Sequence, residues 1–207
     1  MFTDRTDAGE RLADELREAD VDVDVVLAIP RGGLPVGRAV ADALGVPLDV
    51  VVASKVGAPG NPELAIGAVA GDGSLWLNES LVERLGVGED YVEREREREA
   101  EVAREKVRAY RDGETLPDVA GKRVVVVDDG VATGATAFAC IRMLREAGAE
   151  RVVFAVPVAA AATVPQLREE ADEVVVVEVP ASFSAVGYHY RDFGQVSDRE
   201  AIAYLET

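Results

Sequence analysis

Two adjacent carboxylates, Asp128 and Asp129, stand at the end of four consecutive valines and are followed by a turn rich in glycine and threonine. Carboxylates in that position are acceptors, able to hold a pair of sugar hydroxyls or a metal. The turn, Gly130-Val131-Ala132-Thr133-Gly134-Ala135-Thr136, offers the complementary chemistry. Its backbone N–H groups, the positive end of a following helix dipole and the hydroxyls of Thr133 and Thr136 are donors suited to a phosphate. A ligand with both a phosphate and a diol would satisfy this stretch.

The elements that must hold these groups are legible on either side. Residues 124–127 read as a strand buried on both faces, and Ala137, Ile141 and Leu144 mark a helix that Gly148 ends. Residues 23–29 form another strand, broken by Pro30-Arg31-Gly32-Gly33, after which Pro35 opens a helix carrying Val36, Val40 and Leu44, with Gly45 past its end. Before it, Asp7 and Glu10 resemble a capping box for a helix with Ala8, Leu12, Leu16 and Ala19 buried. Strands at 48–54, 152–156 and 174–177, with a helix at 163–171, complete the alternation. The expected fold is α/β: a doubly wound, mainly parallel five-stranded sheet with helices on both faces. Its ligands belong at the carboxyl ends of the strands, where the loops containing Arg31, Lys55 and Asp128 all fall.

Other segments are plainer. Residues 55–63 hold two prolines and two glycines and read as a loop without regular structure, longer than a connector needs. Residues 65–70 and 74–77, split by Gly71-Asp72-Gly73, predict a hairpin. A short helix at 79–85 precedes a long one at 91–111, rich in Glu and Arg at helical pairing distances, with only Val92, Ala103, Val107 and Tyr110 as an apolar stripe, so it reads as a solvated connecting helix. Pro117 and Gly121 lead into the valine strand. From Pro180 the pattern breaks, and four of the ten Phe and Tyr residues gather in a non-periodic run. Those rings would either stack on a flat base or form a small hydrophobic cluster. His189, the single histidine, reads as a surface or packing residue rather than a general base, and Cys140 reads as a small core residue.

The net charge of −17 disfavours nucleic acid and anionic lipid as partners. No apolar run reaches the length of a membrane span, no secretory signal is visible and the one cysteine has no internal partner, so a cytoplasmic location is expected. Three lysines against nineteen arginines and 39 acids suggest a surface adapted to high salt, where charge repulsion is screened over a few ångströms.

The segment 124–136 resembles the phosphoribosyl-diphosphate (PRPP) loop of the type I phosphoribosyltransferases, and the string Lys-Val-Gly-Ala-Pro-Gly-Asn-Pro-Glu at 55–63 resembles a poorly characterised branch of that family. An Asp-x-Asp-Gly nucleophile would need an acid at Val127, and neither Gly-x-Gly-x-x-Gly nor Gly-x-x-x-x-Gly-Lys occurs. The resemblance implies one domain over residues 1–207, with residues 180–207 as a small hood and 55–63 as a flexible loop closing over the site. It implies that Asp128 and Asp129 hold the ribose hydroxyls, that Gly130, Ala132, Thr133, Gly134, Ala135 and Thr136 wrap the 5-phosphate, and that Arg31, Gly32, Gly33 and Lys55 bind diphosphate. Mg²⁺ would accompany PRPP, reaching Asp128 and Asp129 at most indirectly. The acceptor would be a nitrogen base or amine, with Phe183, Tyr188 and Asp192 as its contacts, and a homodimer is compatible with the family. Gly130 stands where the family has an apolar residue and is expected to loosen the turn. Ala132 stands where 6-oxopurine enzymes have an acid. A non-catalytic PRPP or nucleotide sensor of the same fold is the alternative.

Overall fold

The computed structural model describes residues 1–110 and 118–206; the expectations at Arg111 and Pro117, and the last residue of the hood, lie outside them. The valine run is the middle of the sheet. In β6 (Arg123–Val127), Val124 and Val126 enter one core with α5 (Ala135–Glu146), while Val125 and Val127 enter another with α1 (Arg5–Glu18) and α2 (Gly33–Leu44). Side chains alternate along a strand, so an unbroken apolar run is what a strand covered on both faces requires. Full burial of each such valine contributes about 1.5–3 kcal/mol relative to exposure.

Strand β1 (Val25–Ala28) pairs in parallel with β6, and the five-stranded sheet runs β2-β1-β6-β7-β8, with β2 at Leu48–Val50, β7 at Arg151–Val158 and β8 at Glu173–Glu178. All four pairings are parallel, as the alternation predicts. From β1 the chain turns through α2 to β2 on one side; from β6 it turns through α5 to β7 on the other. The loops after β1 and β6 therefore diverge from neighbouring strand ends, the crevice where doubly wound sheets bind ligands. At the opposite end Arg123 grips Asp24 through Nε and Nη2 at 3.0 and 2.8 Å, which holds the Asp24 carboxyl down to about 2.

Several expectations change. The strand at 48–54 is two strands: β2 ends at Val50, and β3 (Ala53–Ala58) joins β4 (Asn61–Ala70) and β5 (Leu75–Leu77) in a separate antiparallel sheet. Val51 and Val52 are buried across the join, so hydropathy alone carries no sign of the bend. Residues 55–63 are consequently not an irregular loop. Pro59-Gly60 is a two-residue turn with Gly60 at φ +73°, and the register slips on both sides of Gly57 where a Cβ would meet Pro62 Cα at 2.7 Å. Pro and Gly here make a tight turn and a bulge.

The first helix is capped by Asp4, not Asp7: its carboxylate accepts from the N–H groups of Thr6 and Asp7 at 2.8 and 2.9 Å. The long helix α4 (Glu89–Tyr110), which follows α3 (Glu79–Leu85), is not merely solvated, since Ala100, Ala103 and Val107 are buried. Ala103 and Val107 pack with Val52. The chain end folds back through α6 (Val164–Glu170), a 3-10 turn at Val186–His189 and α7 (Asp198–Ala203). Phe2 clamps the two ends together, donating to the His189 carbonyl at 2.8 Å and accepting from Arg191 N–H at 2.9 Å. Among the described residues no helix is long and apolar enough to cross a membrane.

Candidate functional site

The loop after β6 presents the acidic pair. The Asp129 N–H donates to Asp128 Oδ1 at 2.8 Å, and Arg5 Nε donates to Asp129 Oδ2 at 2.8 Å with both side chains nearly buried, at 12% and 14% exposure. The Tyr190 hydroxyl donates to the Asp129 carbonyl at 2.5 Å, which ties the loop to the segment after β8. Burial pushes the Asp128 carboxyl well above the usual carboxylate range, and the neighbouring Asp129 charge pushes it further. Burial raises Asp129 as well, with the Arg5 guanidinium pulling the other way. Among the described residues Asp128 makes no ion pair. A half-buried carboxylate in that condition gains from hydroxyl donors or a nearby cation.

Arg5 carried no local sequence signal. It is one charge among several in the first turn of α1, and only closure of the chain brings it to Asp129. Its Nη1 donates to the Gly194 carbonyl at 2.8 Å, and its guanidinium carbon lies 3.9 Å above the Phe193 ring. Such stacking holds the cation without neutralising it.

The loop after β1 closes against the acids. A Cβ at Gly32 would fall 2.1 Å from Asp129 Oδ2, and one at Gly33 would fall 2.9 Å from the Val127 carbonyl, so both positions require glycine for the two loops to touch. The Pro30–Arg31 peptide bond is cis. Arg31 opens onto a cleft of about 830 Å³ that Gly32, Val52, Lys106, Phe193 and Asp198 also line. In it Arg31 Nη1 lies 3.6 Å from Asp198 Oδ1, which also accepts the Tyr110 hydroxyl at 3.0 Å. Burial, with the Asp198 hydrogen bond and charge behind it, pushes the Tyr110 hydroxyl up to about 12.

Beyond the acids the turn is braced from outside. Val131 donates to the Val158 carbonyl and accepts from Ala160 N–H, both at 2.9 Å, and the Thr163 hydroxyl donates to the Ala132 carbonyl. Thr163, like Arg5, has no motif to betray it. Ala132 and Thr133 are exposed and Thr136 partly so, while Gly134, at φ +78°, caps α5, whose first residue is Ala135. The first N–H groups of a helix lack intrahelical partners, and this end is available to an anion. Gly130 does not loosen the turn: a Cβ there would meet Val186 Cγ1 at 2.7 Å and Val158 Cγ1 at 2.8 Å. Apolar bulk comes from those two valines.

Residues 3–192 match the family model of the phosphoribosyl transferase domain. The chain belongs to that family. A crystal structure from Thermus thermophilus is 44% identical, covers 99% of this chain and 97% of its own, and aligns with a TM-score of 0.85. The Mycobacterium tuberculosis H37Rv protein named "Putative phosphoribosyl transferase" is 44% identical over 100% of this chain and 46% of its own length, so the chain spans about half of that relative. An amidophosphoribosyltransferase of Synechococcus elongatus is 26% identical over 73% of this chain and 23% of its own length.

In this phosphoribosyl transferase domain the residues expected to act are unevenly gathered. Arg31, Gly32, Gly33, Asp128, Asp129 and the turn 130–136 meet at the strand ends. Lys55 lies in β3 opposite Ala68, two residues beyond Ala53 at the cleft wall, and does not itself line the cleft. The hood residues expected to meet an acceptor do not reach it. Phe183 packs in a small cluster with Phe2, Val158 and Tyr190, Tyr188 is 74% exposed, and Asp192 borders a neighbouring depression. His189 stacks on Phe183 at 5.4 Å, as a packing residue would. The cleft takes Phe193, Gly194, Gln195 and Val196 instead. Cys140 is fully buried, which raises its thiol and leaves it unreactive.

Proposed function

We propose that residues 1–207 act as one domain that transfers the phosphoribosyl group of PRPP to a nitrogen acceptor and releases diphosphate. The observation that carries this is the contact of the two loops at the sheet's switch point, where Gly32 leaves room for the Asp129 carboxylate. That contact sets diphosphate donors beside diol acceptors.

Asp128 and Asp129 would accept from the two ribose hydroxyls, the turn 132–136 would hold the 5-phosphate at the start of α5, and Arg31 with the Gly32 N–H would hold the diphosphate, while Gly33, whose N–H donates to the Ile29 carbonyl at 3.0 Å, would serve by letting the loop approach. The acceptor nitrogen's lone pair forms the bond to the anomeric carbon while the carbon–oxygen bond to diphosphate breaks, its electron pair leaving on oxygen; the nitrogen then loses its proton. Catalysis is positioning and electrostatics, since the chain presents donors where the leaving group gathers charge. Two nearby carboxylates sit on the positively charging ribose.

Among the described residues no group of three His, Cys, Asp or Glu side chains that could hold a metal ion occurs. Magnesium fits nonetheless, because it is commonly held by one or two carboxylates plus substrate phosphates, and Asp128 and Asp129 are adjacent carboxylates of which Asp128 makes no ion pair among the described residues. When bound it would neutralise charge on the departing diphosphate.

Calorimetry with Mg-PRPP tests the reading. Asp129→Ala removes charge-assisted hydrogen bonds worth roughly 1.5–3 kcal/mol each, so affinity should fall by about tenfold or more. Equal affinity in wild type and variant would end the assignment. Tight binding without diphosphate release from any acceptor would favour the sensor.

A further inference from the structure

Helix α4 carries cations in two conditions. Arg96, Arg98, Arg104 and Arg108 each reach a glutamate of the same helix, at 3.2, 2.5, 2.7 and 3.5 Å. Lys106 does not: among the described residues it makes no ion pair, and it lines the cleft together with Arg31 and with Tyr110, one helical turn further on. Lysine is scarce in this chain, with three against nineteen arginines. The cleft sets Arg5, Arg31 and Lys106 against Asp129 and Asp198, three cations to two anions in a protein of net charge −17.

A second observation places an anion among those donors. Asp198 brings its carboxylate between Arg31, at 3.6 Å, and the Tyr110 hydroxyl, at 3.0 Å. That carboxylate is 69% exposed, and exposed ion pairs of this length are weak and readily exchanged. Burial of Ala103 and Val107 against Val52 fixes the α4 face that presents Lys106 and Tyr110.

We infer that Lys106 and Tyr110 complete, with Arg31, the wall that receives the diphosphate of PRPP, and that Asp198 holds the place of a diphosphate oxygen until substrate displaces it. The inference rests on the phosphoribosyl-transfer reading, and it assigns residues on a helix that local sequence marks only as charged. As the carbon–oxygen bond breaks, negative charge grows on the diphosphate, where the Lys106 ammonium and the protonated Tyr110 hydroxyl both donate. Asp198 opposes binding by occupying the same donors and by repelling the incoming anion.

The test compares Mg-PRPP with ribose 5-phosphate, which lacks the diphosphate, by calorimetry on the full chain, with melting curves to verify folding. Lys106→Gln should weaken PRPP about tenfold and leave ribose 5-phosphate unchanged, and Lys106→Arg should recover most of the loss. Asp198→Asn should tighten PRPP by roughly two- to fivefold, the opposite sign. Arg94→Gln removes the same charge from α4 about 18 Å away and should alter neither ligand. Equal weakening of both ligands by Lys106→Gln, a matching loss from Arg94→Gln, or weaker PRPP binding by Asp198→Asn would overturn the inference. If wild type binds both ligands and every variant behaves like it, the inference alone falls. If wild type binds neither, the phosphoribosyl-transfer reading falls with it.

Discussion

Arg5 Nε and Asp129 Oδ2 stand 2.8 Å apart across 124 positions of sequence, joining the first turn of α1 to the acidic loop after β6. Burial raises the Asp129 carboxyl and the Arg5 guanidinium lowers it, so the arginine offsets part of what burial costs the charged form. Arg5→Gln should let Asp129 rise further. Each unit of rise costs up to about tenfold in affinity at pH values below the new titration point, so PRPP binding by the variant should be weaker at about pH 6 than at about pH 8, with a flatter wild-type profile. Parallel pH profiles for the two proteins would refute this.

Asp128 is raised chiefly by burial and then by Asp129, which makes its ionised form a burden on the fold. The sign follows from linkage: with a native pKa above the unfolded one, the unfolded chain releases its proton first, so the contribution is most favourable below the ordinary carboxylate range and is lost as pH rises toward the native value. Asp128→Asn should therefore melt higher than wild type at neutral pH, by about 2–4 °C for each kcal/mol relieved, with the gain fading in acid. A variant that melts lower at pH 7 contradicts the assignment of repulsion.

Gly130 is closed in by Val186 and Val158. Gly130→Ala should destabilise the protein by roughly 1–3 kcal/mol through overpacking, and adding Val186→Ala should return part of that loss because it vacates the space. Denaturant melts of both variants check this. Strict additivity of the two changes would mean that the contact is not the cause.

Net charge of −17 spread over 207 residues makes self-repulsion the term most sensitive to ionic strength. Melting temperature should climb from near-zero to molar salt. A flat or falling curve would exclude salt adaptation.

Ala132 offers no side chain that can take a proton, and its carbonyl is engaged by Thr163. General-base help is typically worth about 100- to 10,000-fold, so hypoxanthine and guanine should be poor acceptors beside adenine or a non-purine amine. Diphosphate release measured base by base decides the matter: brisk turnover of guanine with adenine inert would reverse the preference.

Residues that act through their neighbours in sequence were legible in the chain by itself. Val124 to Val127 announce a strand with two covered faces because alternation leaves no polar position, and Asp128, Asp129, Thr133 and Thr136 can be placed side by side because all lie within one strand-loop-helix turn. Gly32 and Gly33 are readable as a close-approach turn, though not what they approach. Tertiary structure alone decided the rest. The bend after Val50 separates two strands of equal hydropathy that belong to different sheets, and the Pro-Gly cluster at 59–60 becomes a hairpin turn once β4 is there to pair with β3. Arg5, Lys106, Thr163 and Asp198 reach the site from segments with no motif, while Phe183 and Tyr188, which carry the aromatic signal, do not line its cleft. Periodicity reports which face of an element is buried, because that depends on spacing along one chain segment. Which side chains meet across the cleft depends on how the helices and the segment after β8 pack over the sheet, a property of packing between segments that no single stretch contains.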